Sequence, residues 1–244
     1  MKLYHGTSSE FLPDILKHGI LPRLKRKGNW KKSIASNPSA VYLSESYAMF
    51  YAVQATRDGF SPVVIEVDTD RLDQSRLAPD EDFLEQATRG QHGRPVSASS
   101  IVKAQRQFRD TLRLHSHLWT KSVEFLGTCA YFGTIPVSAI TRYATCSISS
   151  PAVINAFDTT VSLLNYKLCS HVYKAMTRWL FGAEIKPEDL DTVPIADVQT
   201  DAELPEEFNA FIRFQRERYE FVSRWLSERD GVTVVDLELL LQGG

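Results

Sequence analysis

Cysteine is scarce in this sequence, with three among 244 residues, and an odd count cannot pair off into a disulfide framework. Cys129, Cys146 and Cys169 show no CxxC spacing and no neighbouring histidine at metal-ligand spacing, so no metal site is expected. They stand in apolar company and read as reduced, buried thiols of a cytoplasmic protein. No apolar h-region follows Met1, which argues against a secretory leader. The longest nearly uncharged run, Phe125 to Thr141, is broken by Gly127, Gly133 and Pro136 and suits buried strands better than a membrane span. Internal repeats and low-complexity tracts are lacking too, which excludes solenoid and linker-like architectures. A strong net charge is also missing, but the value of -2 hides an uneven distribution. Residues 1–36 carry eight Lys/Arg against Glu10 and Asp14, whereas 184–207 carry nine acids against Lys186 alone.

What is present is enough apolar material, 43% of residues, to bury a sizeable core. Within Lys2 to Ser8 an apolar run ends in His5 and reads as a strand edge, and the permissive Gly6 that follows the strand suits bringing backbone close to a ligand. Glu10 to Gly19 has a preceding hydroxyl, early acids, Pro13 and a terminal glycine, and predicts a short helix capped by Ser8 or Ser9. Ala40 to Ser44 and Pro62 to Asp68 predict two further strands, with a helix from Glu45 to Gly59 capped by Ser44 between them. Asp70 to Arg76 reads as turns, and Pro79 to Ala87 as a short helix carrying Asp80, Glu81, Asp82 and Glu85. Residues 88–100 read as a polar loop, followed by a helix from about Ser100 to Trp119. Strands are expected at Val123 to Leu126 and at Thr134 to Ile140. Ser150-Pro151 marks a boundary, which divides the chain into a domain over 1–150 and a mainly helical extension over 151–244 packed on it. Within that extension Val232 to Leu241 is too apolar to be a free tail and is expected to pack back.

Two basic features carry a functional hint. Arg23, Lys25, Arg26, Lys27, Lys31 and Lys32 surround Trp30 in one loop, and an indole among cations suits stacking on a base while the cations hold phosphates. Lys103, Arg106, Arg109 and Arg113 recur three or four residues apart on one helix face that leads toward Glu124, an acid at the start of an apolar run.

The segments His5-Gly6-Thr7, Val41-Tyr42-Leu43-Ser44 with Tyr51 behind, and Val123-Glu124-Phe125-Leu126 stand in the order of the His-Tyr-Glu triad of ADP-ribosyltransferases. Over about residues 2–145 the chain resembles that superfamily, including the Gly19-Ile20-Leu21-Pro22 exit before a variable loop and the Ile135-Pro136 pair after the acid. The resemblance implies an α+β fold with a split β-sheet core and NAD as substrate. By the same resemblance His5 bonds a ribose hydroxyl, Gly6 holds the nicotinamide carboxamide through its backbone, and Tyr42 and Tyr51 flank the nicotinamide ring. Glu124 becomes the catalytic acid, with His5 and Tyr42 beside it, and Thr7, Ser44 and Arg23 complete the expected NAD contacts. The pattern departs at Ala48, three residues before Tyr51, where poly-ADP-ribose polymerases keep a carboxamide-binding serine.

Those residue types suit the chemistry in their own right. Breaking the bond between nicotinamide and ribose creates an oxocarbenium-like sugar, which needs a carboxylate nearby and flat walls for the leaving ring. The leading expectation is a toxin, similar to DarT-like and phage-defence enzymes, that transfers ADP-ribose to RNA or single-stranded DNA and is neutralised by a cognate antitoxin. The same transfer onto a protein side chain is the alternative. RNA 2'-phosphotransferases share the His-Gly-Thr start, but basic residues would be expected where Tyr42 and Glu124 stand, and a non-enzymatic binding module ranks with them.

Overall fold

β1 (Lys2–Ser8) is the strand on which the fold is built, because it carries the chain's first buried run and has neighbours on both sides. The computed structural model describes residues 1–23, 36–84, 98–146, 174, 177–183 and 232–238. Within them β2 (Ala40–Ser44), β3 (Pro62–Asp68), β4 (Leu77–Pro79), β5 (Thr128–Phe132), β6 (Ile140–Cys146) and β7 (Val232–Asp236) join β1 in one sheet of order β4-β5-β2-β1-β3-β6-β7. Every pairing is antiparallel, and the fold is α+β. β-branched runs such as Val63-Val64-Ile65 account for strands buried on both faces.

Strand alternation sorts the side chains. One face presents Leu3, Val41, Leu43, Val63, Ile65, Val67, Cys129 and Tyr131, covered by Ile15 of α1 (Leu12–His18) and by Ile20 and Ile135. Burial also pushes the Cys129 thiol far up, so it sits there as an inert apolar group. On the opposite face Ala40, Ala78 and Ala130 meet Leu84 and Leu112, with Phe108 of α3 (Ala98–Thr111) packed against them. The rest of that face is covered by α2 (Ala48–Ala55), which lies directly on β1.

β1, β2 and β3 fall where the sequence places them, and α1 and α2 lie inside the expected helical spans. Neither helix has a side-chain cap at its own N-cap position. Ser44 instead ties the turn before α2, its Oγ accepting from the Ser46 and Tyr47 amides at 3.0 and 2.6 Å while donating to the Gly127 carbonyl at 2.8 Å.

Three expectations are corrected and one strand is added. Val123 to Leu126 is not a strand but the end of α4 (Trp119–Leu126), which buries Ser122, Val123 and Leu126 on one helical face. Gly127 closes α4 at φ 75° and donates its N–H to the Val123 carbonyl, so the strand starts one residue later, at Thr128. Ile135 forms only an isolated bridge to Ile20, a 3-10 turn follows at Val137–Ala139, and the strand proper is β6. The helix expected up to Trp119 ends at Thr111 and passes into a 3-10 segment, Leu112–Leu118. Leu77–Pro79 is a strand that was not foreseen, and its proline closes the outer edge of the sheet, where a missing N–H costs least. Val232 to Asp236 does pack back, as a strand against β6, so the sheet of the first 150 residues is completed by the far end of the chain.

Candidate active site

The sheet has a seam. β1 pairs with β3 along its whole length, Lys2 with Asp68 through to Ser8 with Pro62, and β2 pairs with β5 along its whole length. Between β1 and β2 the only paired position is Tyr4 with Ser44. Past it the ladder stops and His5 bridges the strands, its Nδ1 lying 3.0 Å from the Tyr42 carbonyl. A carbonyl only accepts, so Nδ1 carries the hydrogen and Nε2 is left as an acceptor. Burial lowers the His5 pKa to about 4, with the Arg23 charge adding to the effect and the Tyr42 carbonyl opposing it. At neutral pH the imidazole is therefore uncharged.

From Tyr42 the contacts continue inward. Its hydroxyl donates to Glu81 Oε2 at 2.6 Å and accepts from the Asn37 amide at 2.9 Å. Burial, and then the neighbouring Glu81 and Asp80 carboxyls, hold the phenol proton firmly in place. Glu81 is itself pushed up to about 7 by burial, with the Tyr42 hydroxyl pulling the other way. Asp80, beside it, is also raised to about 7, by burial and then by Glu81, while the Asp82 amide and Thr128 favour its charged form. A buried Glu81 next to a half-buried Asp80, both raised toward neutrality, form a pair able to hold or release a proton at working pH. The pair is anchored at the junction of β4, α4 and β5. The Asp80 N–H donates to Ser122 Oγ at 2.9 Å, and that hydroxyl donates to the Thr128 carbonyl at 2.8 Å. Asn37 Nδ2 donates to the Arg109 carbonyl at 2.7 Å, which links the end of α3 to the same cluster.

The structure thus joins the His5 side chain to the Tyr42 main chain and the Tyr42 side chain to Glu81, with Asp80 beside it and the charge of Arg23 acting on His5. Glu124 lies on the exposed side of α4, and no hydrogen bond or ion pair links it to His5 or Tyr42. Its neighbour Phe125 meets Phe83 edge to face at 6.1 Å. Tyr51 is half-buried on α2, its ring 5.4 Å from that of Phe50, and Thr7 is buried in β1 opposite Val63. Gly6 lies within β1, not after it, and the space a Cβ would need is taken by α2: that atom would stand 1.9 Å from the Ala48 carbonyl oxygen. Glycine is required at position 6 by helix packing.

Of the basic residues, Lys25, Arg26, Lys27, Trp30, Lys31 and Lys32 lie outside the described residues. Lys103 and Arg106 are exposed on α3. Arg109 pairs with Asp110 at 2.9 Å, and Arg113 lies over the Phe132 ring at 5.7 Å. The sequence does not mark Asp80 and Glu81 as partners of Tyr42, and their one available signal is a pair of acids directly after an apolar triplet ending in proline. Among the described residues no group of three or more His, Cys, Asp or Glu gathers as a metal would need, and no helix is long and apolar enough to cross a membrane.

No protein-family model matches the chain, and no curated protein matches it.

Proposed function

We propose that this chain is an NAD-dependent ADP-ribosyltransferase whose reaction centre is the seam between β1 and β2. The observation that carries the proposal is the bridge across that seam, in which an uncharged His5 binds the Tyr42 carbonyl while the Tyr42 hydroxyl binds a buried carboxyl that titrates near 7. In this reading His5 Nε2 accepts from a ribose hydroxyl of NAD, and Tyr42 walls the nicotinamide. A carboxylate then stabilises the sugar cation as the glycosidic bond breaks and takes the proton of the incoming nucleophile. Two carboxylates compete for that role. Glu124 is favoured by motif order, and Glu81 by its hydrogen bond to Tyr42.

The acceptor we propose is a strand of RNA or single-stranded DNA. Arg23 lies beside the seam, and the exposed Lys103 and Arg106 suit phosphate contacts. A cytoplasmic toxin held in check by an antitoxin is the biological setting that fits this chemistry.

The test is incubation with labelled NAD and separate nucleic-acid and protein fractions, read by mass spectrometry. Glu124→Gln and Glu81→Gln are compared with the parent. Whichever glutamate is the acid, its amide variant loses about 10²–10³ in transfer rate while still binding NAD. Label confined to protein would replace the nucleic-acid acceptor by a side chain. No label in either fraction, or parent-rate transfer by both variants, would overturn the proposal.

A further inference from the structure

A second candidate site lies at the start of β1, on the face that carries Tyr4. A cavity of about 310 Å³ is lined by Lys2, Tyr4, Glu45, Lys174 and Arg178. Most charges around it are matched. Lys2 pairs with Asp68 at 3.0 Å, Lys174 pairs with Glu45, and Arg142 pairs with Glu66 at 2.5 Å. Arg178 makes no ion pair among the described residues, and its side chain is exposed. The Tyr4 ring is fixed by stacking on Phe181 at 5.3 Å, and its hydroxyl has no hydrogen-bond partner among the described residues. Burial raises that phenol to about 12, so it stays a proton donor at any physiological pH.

The cavity therefore offers one unmatched guanidinium, one unused rigid donor and two lysines already close to carboxylates. We infer that it binds a small phosphate monoester. The phosphate would accept from the Tyr4 hydroxyl and the Arg178 guanidinium, as oxyanions do from forked and fixed donors. A volume near the lower end of ligand pockets, which begin at about 300 Å³, leaves room for a sugar-sized group beside the phosphate. No residue lining the cavity belongs to the His5–Tyr42–Glu81 cluster, and the His5 side chain leaves β1 on the face opposite Tyr4.

Titration calorimetry with inorganic phosphate and with ribose 5-phosphate, at constant ionic strength set by chloride, tests the inference. The parent should bind at least one of the two, and tighter binding of ribose 5-phosphate would assign the spare volume to the sugar. Tyr4→Phe keeps the ring on Phe181 and should weaken binding roughly 10- to 100-fold, as loss of a hydrogen bond to a charged group does. Arg178→Gln should weaken it by a similar factor and, being exposed, serves as the second variant if Tyr4→Phe does not fold. Absence of binding by the parent at millimolar ligand, or binding unaltered in the folded variants, would overturn the inference.

Discussion

His5 and Glu81 are moved in opposite directions by one cause, since burial penalises the charged form of each, imidazolium in the first and carboxylate in the second. The Tyr42 hydroxyl favours the carboxylate of Glu81 through a side-chain hydrogen bond. Tyr42→Phe should therefore raise the Glu81 pKa above about 7 while leaving the ring in place. Carbon-detected NMR titration of the Glu81 carboxyl reads this directly, and an unchanged midpoint would mean that the hydroxyl does not act on it. His5 and Tyr42 are legible in the sequence, because a strand that ends in His-Gly-Thr and a second with a central tyrosine are local patterns. Glu81 is not. An Asp-Glu-Asp run looks like solvated surface, and only the tertiary packing of α4 and β5 against β4 makes its middle member a buried group.

Among the elements, α2 lies so close to β1 that Gly6 is a contact surface. Gly6→Ala would place a Cβ 1.9 Å from one α2 backbone atom and 2.5 Å from another, and backbone cannot rotate away as a side chain can. A loss of about 3 kcal/mol or more is expected, visible as a lower urea midpoint with little change in slope. A neutral effect would show that α2 can slide. The pairing of β3 with β6 brings Glu66, 2% exposed, against Arg142, with the Thr141 hydroxyl 2.6 Å from the same carboxylate. Arg142→Met leaves that buried carboxylate without its cation and should cost about 3–5 kcal/mol, most of it recovered by adding Glu66→Gln. Failure of the second change to recover stability would put the loss on the packing of Arg142 over Phe181 instead, where the guanidinium lies 5.0 Å from the ring. The β-branched strands could be read in advance because their pattern is continuous. α4 was misread because its apolar residues also satisfy a strand's composition, and the deciding signals were the spacing Trp119-Val123-Leu126 and the closing Gly127.

For the molecule as a whole the shifted groups set a pH dependence of stability. Asp80 and Glu81 have folded pKa values near 7, above their values in the unfolded chain, so the folded state binds the extra protons. Their contribution is fully present below about pH 4 and is lost as the pH rises through 7. His5 works the other way: its folded pKa is near 4, so its contribution is present above about 6.5 and is lost as the pH falls through 4. Asp80→Asn combined with Glu81→Gln should therefore raise the urea midpoint relative to the parent more at pH 8 than at pH 5. An equal difference at both pH values would mean that the pair does not titrate in that window. The coarse plan, an α+β chain, was legible from the sequence, whereas the central place of β1 and the position of the seam beside it were not, because pairing between strands leaves no mark on either strand alone.

β7 adds a constraint of a different kind. Among the described residues the next strand of the sheet after Cys146 begins at Val232, where β7 covers β6 and Glu238 pairs with Arg71. During synthesis β6 is finished long before the strand that shields it exists. Until then a nascent chain displays a row of unpaired N–H and C=O groups along that strand, a template for pairing with another copy. A chain ended before Val232 is held permanently in that condition.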